Sequence, residues 1–344
     1  MNPIRKRIDE INWYVAKFRG TGLWFWQQPL EDVKGAWVTV NGRRMLMLSS
    51  CNYLDLLGHP KIEAAAQEAL ARYGTGVHGV PFLSGTLPLH EELEQTIARF
   101  TKSEAAIVFS SGYVTNLAVV PALVGRNDVV ICDKYDHGSI VDGCLLSQAK
   151  FMRFRHNDMA DLERRLKQAD PNTGRLVIVD AVFSMDGDII NLPEVSRLCR
   201  EYDALLMVDE AHSLGVLGGT GHGIEEHFGL EDVVDIRMGT LSKTIPSMGG
   251  YVAGSQDLIT FLKTMARAFI FSAALPPAQT AAAKASFEVI EQEPERVRKL
   301  QRNVKLFLGG IKARGFNTLN SETAVVPICG EEWRLAKMLG LCHE

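Results

Sequence analysis

The sequence predicts an α/β protein: a mostly parallel seven-stranded sheet with helices on both faces, and a smaller α+β domain beside it. Two observations carry that expectation. Seven short apolar runs alternate with segments of helical periodicity, as strands do when crossover helices join them. Five of the runs are followed at once by polar, chemistry-bearing residues, and parallel sheets bind ligands outside the carboxyl ends of their strands. A length of 344 residues allows two domains or one large α/β unit. With 46% hydrophobic and 23% charged residues, a mostly disordered chain is excluded.

The elements follow in chain order. Arg5, Lys6 and Arg7 imitate the start of a signal peptide, but Asp9, Glu10, Asn12 and Lys17 interrupt any apolar core behind them. Trp37–Val40 and Arg43–Leu48 flank Asn41-Gly42, the pair that a type I′ hairpin turn prefers. Pro60–Tyr73 has Ile62, Ala65, Ala66, Ala69 and Leu70 at helical spacing, with Pro60 near its start. A glycine-rich stretch, Gly74–Gly85, leads to a second helix, His90–Phe100. The strand candidates are Ala105–Phe109, Val129–Cys132, Phe151–Phe154, Leu176–Val182, Leu205–Val208, Asp235–Met238 and Gly250–Ala253. Pro276–Ala313 is helical with a break near Pro294; Thr323–Ile328 reads as a strand of the smaller layer, and Gly330–Glu344 holds one helical turn or two. The expected layout is an N-terminal helix and hairpin (1–50), a large domain (51–275) and a partial C-terminal domain (276–344), the first and last together forming the smaller domain.

Composition narrows the function classes. With 37 basic and 41 acidic residues the chain lacks the basic footprint of a nucleic-acid binder. Its longest apolar stretches, such as Leu117–Val124, fall short of the ~20 residues that span a bilayer. Six cysteines without metal or redox spacing read as free thiols, several of them buried, and the cytoplasm is the expected compartment.

The polar residues at the strand ends decide the chemistry. Phe109 is followed by Ser110-Ser111-Gly112-Tyr113, whose amides open an apolar helix and suit an anion; Thr240 and Ser242 could add hydroxyls. Cys132 leads to His137, and Val182 to Ser184. Asp209 ends a fully apolar run, where it reads as a helix cap as readily as a functional acid. His212 lies three residues on, yet no further ligands accompany the two, so no metal is assigned. Lys243, in Gly239-Thr240-Leu241-Ser242-Lys243, lacks Walker spacing. A loop lysine opposite a buried aspartate suits an aldehyde cofactor held as a Schiff base, with its ring nitrogen paired to the acid.

Together, Asn52-Tyr53-Leu54, Ser111-Gly112-Tyr113 with Asn116, His137 with Ser139, Phe183–Asp188, Asp209–His212 and Gly239–Lys243 resemble the α-oxoamine synthases, fold-type I pyridoxal-phosphate enzymes. The resemblance runs in order from about Asn12 to Pro327. It implies that Lys243 holds pyridoxal 5'-phosphate and then removes the Cα proton of an amino acid. Asp209 would keep the ring nitrogen protonated, while His212 and Ser184 bond near the phenolic oxygen. His137 would stack on the ring and contact substrate, and Asn52 would approach the substrate carboxylate. Ser111, Gly112, Tyr113, Thr240 and Ser242 would hold the phosphate. The implied reaction is a decarboxylative Claisen condensation of an amino acid with an acyl thioester, on CoA or an acyl carrier protein, in a homodimer with its site at the interface. A fold-type I aminotransferase and a cofactor-binding subunit without turnover are the alternatives. Four features depart from the family pattern. Asp55 replaces a common glycine, Pro81 a common arginine, and Asp136-His137-Gly138 a common Asn-His-Ala, while Ala273 and Ala274 stand where hydroxyl residues are frequent. The family is also expected to continue past Ile328 and supply a carboxylate-binding arginine; Arg334 is the only arginine of the tail.

Overall fold

The computed structural model of the chain describes residues 2–21, 26–33 and 35–343. Their contacts divide the chain into two units, 1–49 with 328–344, and 50–327.

The first unit contains a helix, Pro3–Gly20, capped by the Asn2 side chain on the Ile4 amide at 2.9 Å and burying none of its residues. Strands β1 (Trp37–Val40) and β2 (Arg43–Leu46) pair antiparallel from Trp37 opposite Leu46 to Val40 opposite Arg43. Asn41 and Gly42 have φ of 51° and 71°, so the sign of twist that a two-residue hairpin needs is present at both positions. The tail is a twelve-residue helix, Glu332–His343, longer than the one or two turns expected. Its Glu, Leu, Ala, Lys and Met content outweighs the single Gly340.

The second unit is organised by seven strands: β3 (Ala105–Phe109), β4 (Val129–Asp133), β5 (Lys150–Phe154), β6 (Arg175–Asp180), β7 (Leu205–Asp209), β8 (Ile236–Thr240) and β9 (Gly250–Gly254). Each lies within two residues of its expected bounds. Their order is β3-β9-β8-β7-β6-β4-β5. Pairs β4–β5, β4–β6, β6–β7 and β7–β8 are parallel, whereas β9 runs antiparallel to both its neighbours. The exception has a simple cause. The segment from Leu241 to Gly249 forms no helix to carry the chain back across the sheet, so β9 must return beside β8.

Alternation along the strands supplies two cores. Val177, Val179, Leu206 and Val208 face one layer with Leu162, Val195 and Leu198 of the helices Met159–Gln168 and Leu192–Glu201. Leu176, Ile178 and Met207 face the other, against Val119, Val120 and Ile140 of Gly112–Leu123 and Gly138–Ser147. Both faces are therefore covered, which is why the strands are apolar throughout rather than alternating.

The long helical region is two helices, Pro277–Gln292 and Glu295–Ala313, with the expected break at Pro294. The first of them packs on Pro60–Tyr73 and Pro88–Phe100. The strand expected at Thr323–Ile328 does not form. Thr323 donates its hydroxyl to the Gly187 carbonyl at 2.9 Å and Ser321 donates to the Val325 carbonyl, so side chains take bonds that a ladder would need.

Candidate active site

The carboxyl ends of β3, β4, β6, β7 and β8 meet at one edge of the sheet, and a cleft of about 230 Å3 opens there. The return from β8 to β9 places Lys243 in it. Its Nζ lies 2.6 Å from Nε2 of His212, whose Nδ1 is 2.7 Å from the Tyr53 hydroxyl. Burial lowers the Lys243 pKa, opposed by the charges of Asp209 and Asp180. Burial, together with the positive charge of Lys243, pushes His212 down to about 3, so its imidazole is neutral.

Asp209 closes β7 and is buried. Its carboxylate accepts from the Asn116 side-chain amide at 3.0 Å and from the Ala211 backbone amide at 3.0 Å. No ion-pair partner of Asp209 occurs among the described residues. Asn116 also donates to Ser139 Oγ at 2.9 Å, while its buried Oδ1 has no hydrogen-bond partner among the described residues. A cationic ring nitrogen would give this acid the countercharge it lacks.

His137 stands at the cleft rim, as the cap of the helix Gly138–Ser147. Asp180 holds it there by accepting its backbone N–H at 2.8 Å, and Ser139 Oγ engages its Nδ1 at 2.7 Å. Its Nε2 is thereby left for the cleft. Behind it, Asp136 accepts the backbone amides of Asp133 and Asp180, at 2.7 and 2.8 Å, and so ties the end of β4 to that of β6. Burial raises the pKa of both Asp136 and Asp180. His156 bridges Asp133 at 3.0 Å and Asp188 at 2.9 Å, fastening the loop that carries Ser184.

An anion cradle completes the cleft. Ser111 Oγ takes the Val114 amide at 3.1 Å, leaving the N–H groups of Gly112 and Tyr113 at the start of a twelve-residue helix. The glycine is required: a Cβ at position 112 would lie 2.7 Å from Thr240 Oγ1. Thr240 and Ser242 hydroxyls sit 2.9 Å apart on the opposite side. A nucleophilic amine, a buried unpaired acid and a phosphate-sized set of donors fit pyridoxal phosphate. Among the described residues no group of side chains could hold a metal ion.

Ser111, Gly112, Tyr113, His137, Ser184, Asp209, His212, Thr240, Ser242 and Lys243 all border this cleft. Asn52 does not; its Oδ1 accepts the amides of Leu56 and Leu57 at 2.9 and 3.2 Å, and that turn carries Tyr53 to His212. Sequence reasoning missed Tyr53 and Asp180 as partners in the site. In the structure Asp180 ends its strand just as Asp209 does, but in the sequence the apolar run continues past it to Val182.

Residues 43–338 match the family model of class I and II aminotransferases. The chain is 44% identical over 323 residues to an 8-amino-7-oxononanoate synthase from Thermosipho melanesiensis, covering 94% of this chain and 81% of the relative. A serine palmitoyltransferase from Sphingobacterium spiritivorum is 42% identical with the same coverage. Among solved structures, serine palmitoyltransferase from S. paucimobilis with a bound pyridoxal-phosphate adduct of myriocin superposes with a TM-score of 0.93 at 33% identity, covering 97% of this chain and 88% of that one. No helix among the described residues is long and apolar enough to cross a membrane. The chain belongs to the class I and II aminotransferase family and, within it, to the α-oxoamine synthases, pyridoxal-phosphate enzymes that condense an amino acid with an acyl thioester.

Proposed function

We propose that Lys243 is the residue that holds the cofactor and the base of the condensation, with Asp209, His212 and His137 as its working partners. When bound, the cofactor supplies an electron sink for the negative charge that develops at the amino acid's Cα. Lys243 Nζ, whose pKa burial lowers in favour of the free base, would hold the cofactor through its aldehyde carbon and would take the Cα proton. Asp209 would keep a proton on the ring nitrogen. His212 and Ser184 would hydrogen-bond the phenolic oxygen. His137 would lie against the ring and offer its Nε2 to the substrate. The amides of Gly112 and Tyr113, with the hydroxyls of Ser111, Thr240 and Ser242, hold the phosphate. Asn52, whose Oδ1 is committed to its turn, offers its Nδ2 to the amino acid's carboxylate.

In the overall reaction the Cα–acyl bond forms and the acyl C–S bond breaks, releasing thiol. The bond from Cα to the carboxylate then breaks, releasing CO2, and a proton returns to Cα. The amino acid and an acyl thioester, on CoA or a carrier protein, are the substrates.

The protein acts as a homodimer. Leu83 and Phe271 are 81% and 75% exposed on adjoining segments of the second unit, an apolar surface that a second copy would cover. Six unpaired cysteines suit the reducing cytoplasm.

The observation that carries this reading is Lys243 Nζ in contact with a neutral His212 in the cleft that Asp209, with no ion-pair partner among the described residues, also lines. Borohydride reduction of the loaded protein followed by peptide mass analysis tests it. The cofactor is expected on the peptide containing Lys243, and a Lys243→Ala variant should carry none. Label on another lysine would refute the assignment.

A further inference from the structure

Asn52-Tyr53-Leu54 contributes more to the site than a turn. Arg296 Nη1 donates to the carbonyls of Leu54 and Asp55 at 3.1 and 3.2 Å, and Asn52 Oδ1 holds the amides beyond them. Pinned from both sides, the segment directs the Tyr53 hydroxyl to His212 Nδ1 at 2.7 Å. The other ring nitrogen faces Lys243 Nζ at 2.6 Å.

A neutral imidazole carries one N–H, and the partner of one nitrogen decides which nitrogen bears it. His212 is neutral by burial and by the charge of Lys243. Burial, with the nearby Cys51, raises the Tyr53 pKa, so the phenol keeps its proton. Among the described residues that proton has one acceptor, His212 Nδ1. The reverse arrangement, with Nδ1–H donating to the phenol oxygen, would leave the phenolic proton without a partner.

We infer that Tyr53 is a positioning residue for the condensation: its hydroxyl holds His212 in the tautomer whose Nε2–H faces Lys243. This rests on the reading of Lys243 as attachment point and base. An Nε2–H donates to an amine lone pair and repels an ammonium. The tautomer therefore favours the free base of Lys243, the form that attacks an aldehyde and accepts a proton from carbon. The same N–H is the donor that a phenolic oxygen of the cofactor needs.

The test reads the tautomer directly. Protein labelled with nitrogen-15 histidine is compared as wild type and Tyr53→Phe, cofactor-free and loaded, by proton–nitrogen correlation spectra, with His212→Gln identifying the signals. The wild type is expected to show His212 protonated on Nε2 alone. Tyr53→Phe is expected to move His212 away from that state, to lower kcat about tenfold and leave KM within about twofold. In the cofactor-free protein it should also raise the pH at which an amine reagent labels Lys243. A wild-type spectrum with the proton on Nδ1 overturns the inference without recourse to any variant. So does a Tyr53→Phe spectrum identical to the wild type. Borohydride trapping is run alongside: failure to label Lys243 in the wild type refutes the underlying assignment, while the spectra still decide the role of Tyr53.

Discussion

At Asp209, the shape of the site and its chemistry separate cleanly. An asparagine there keeps the volume of the side chain and one acceptor for Asn116, but loses the acceptor for the Ala211 amide and the charge that would hold a proton on a ring nitrogen. Asp209→Asn is expected to lower kcat by about 10^2–10^3-fold while the protein still folds, measured by condensation assay and calorimetry. Lys243, Asp209 and the two histidines stood out in the sequence because each lies at the end of an apolar strand or in the short polar stretch just after it. Tyr53 was not. Its contact with His212 joins residues 159 positions apart, and a tyrosine before an apolar stretch reads as core. Asp180 was hidden for another reason: the apolar run continues past it to Val182, so the true strand end lay inside the expected one. Asn52 shows the converse, a motif residue whose oxygen serves the local turn rather than the cleft.

Turns and strand connections set where those residues stand. Asp55 occupies φ of 56°, the left-handed region that favours glycine, in the turn that presents Tyr53. Asp55→Gly is expected to stabilise the protein by ~1 kcal/mol, read as a higher denaturant midpoint. The His156 bridge gives a pH signature. Burial alone would lower its pKa, but hydrogen bonds and charges from Asp133 and Asp188 outweigh it and raise the value to about 10, from 6.5. A histidine with a raised folded pKa stabilises fully below its unfolded value and loses that contribution as pH climbs toward the folded one. The stability gap between wild type and His156→Gln is therefore expected to be widest below pH 6.5 and to close towards pH 10. A gap constant from pH 6 to 10 would count against the bridge. At this scale most strands and helices were legible from periodicity. The antiparallel course of β9 and the loss of the strand at 323–328 were not, since both depend on which neighbours an extended segment finds.

For the whole molecule, burial on both faces of the sheet leaves the apolar surface around Leu83 and Phe271 open on a single chain. The proposed homodimer predicts that Leu83→Asp with Phe271→Asp shifts sedimentation velocity from a dimer to a monomer. An unchanged dimer would place the interface elsewhere. The α/β class and the cleft at the strand ends were readable because sheet topology dictates both. The grouping of the N-terminal and C-terminal segments was part of the expected layout; the boundary was not, since residues 276–327 belong to the larger unit and only 328–344 join 1–49. The central claim is the reaction itself, and one assay tests it most directly. The loaded protein is given amino acids and acyl thioesters in pairs, and free thiol and CO2 are counted together. A productive pair is expected to release the two in equal amounts, dependent on both substrates and on Lys243. Thiol release without CO2, or release that survives Lys243→Ala, would contradict it.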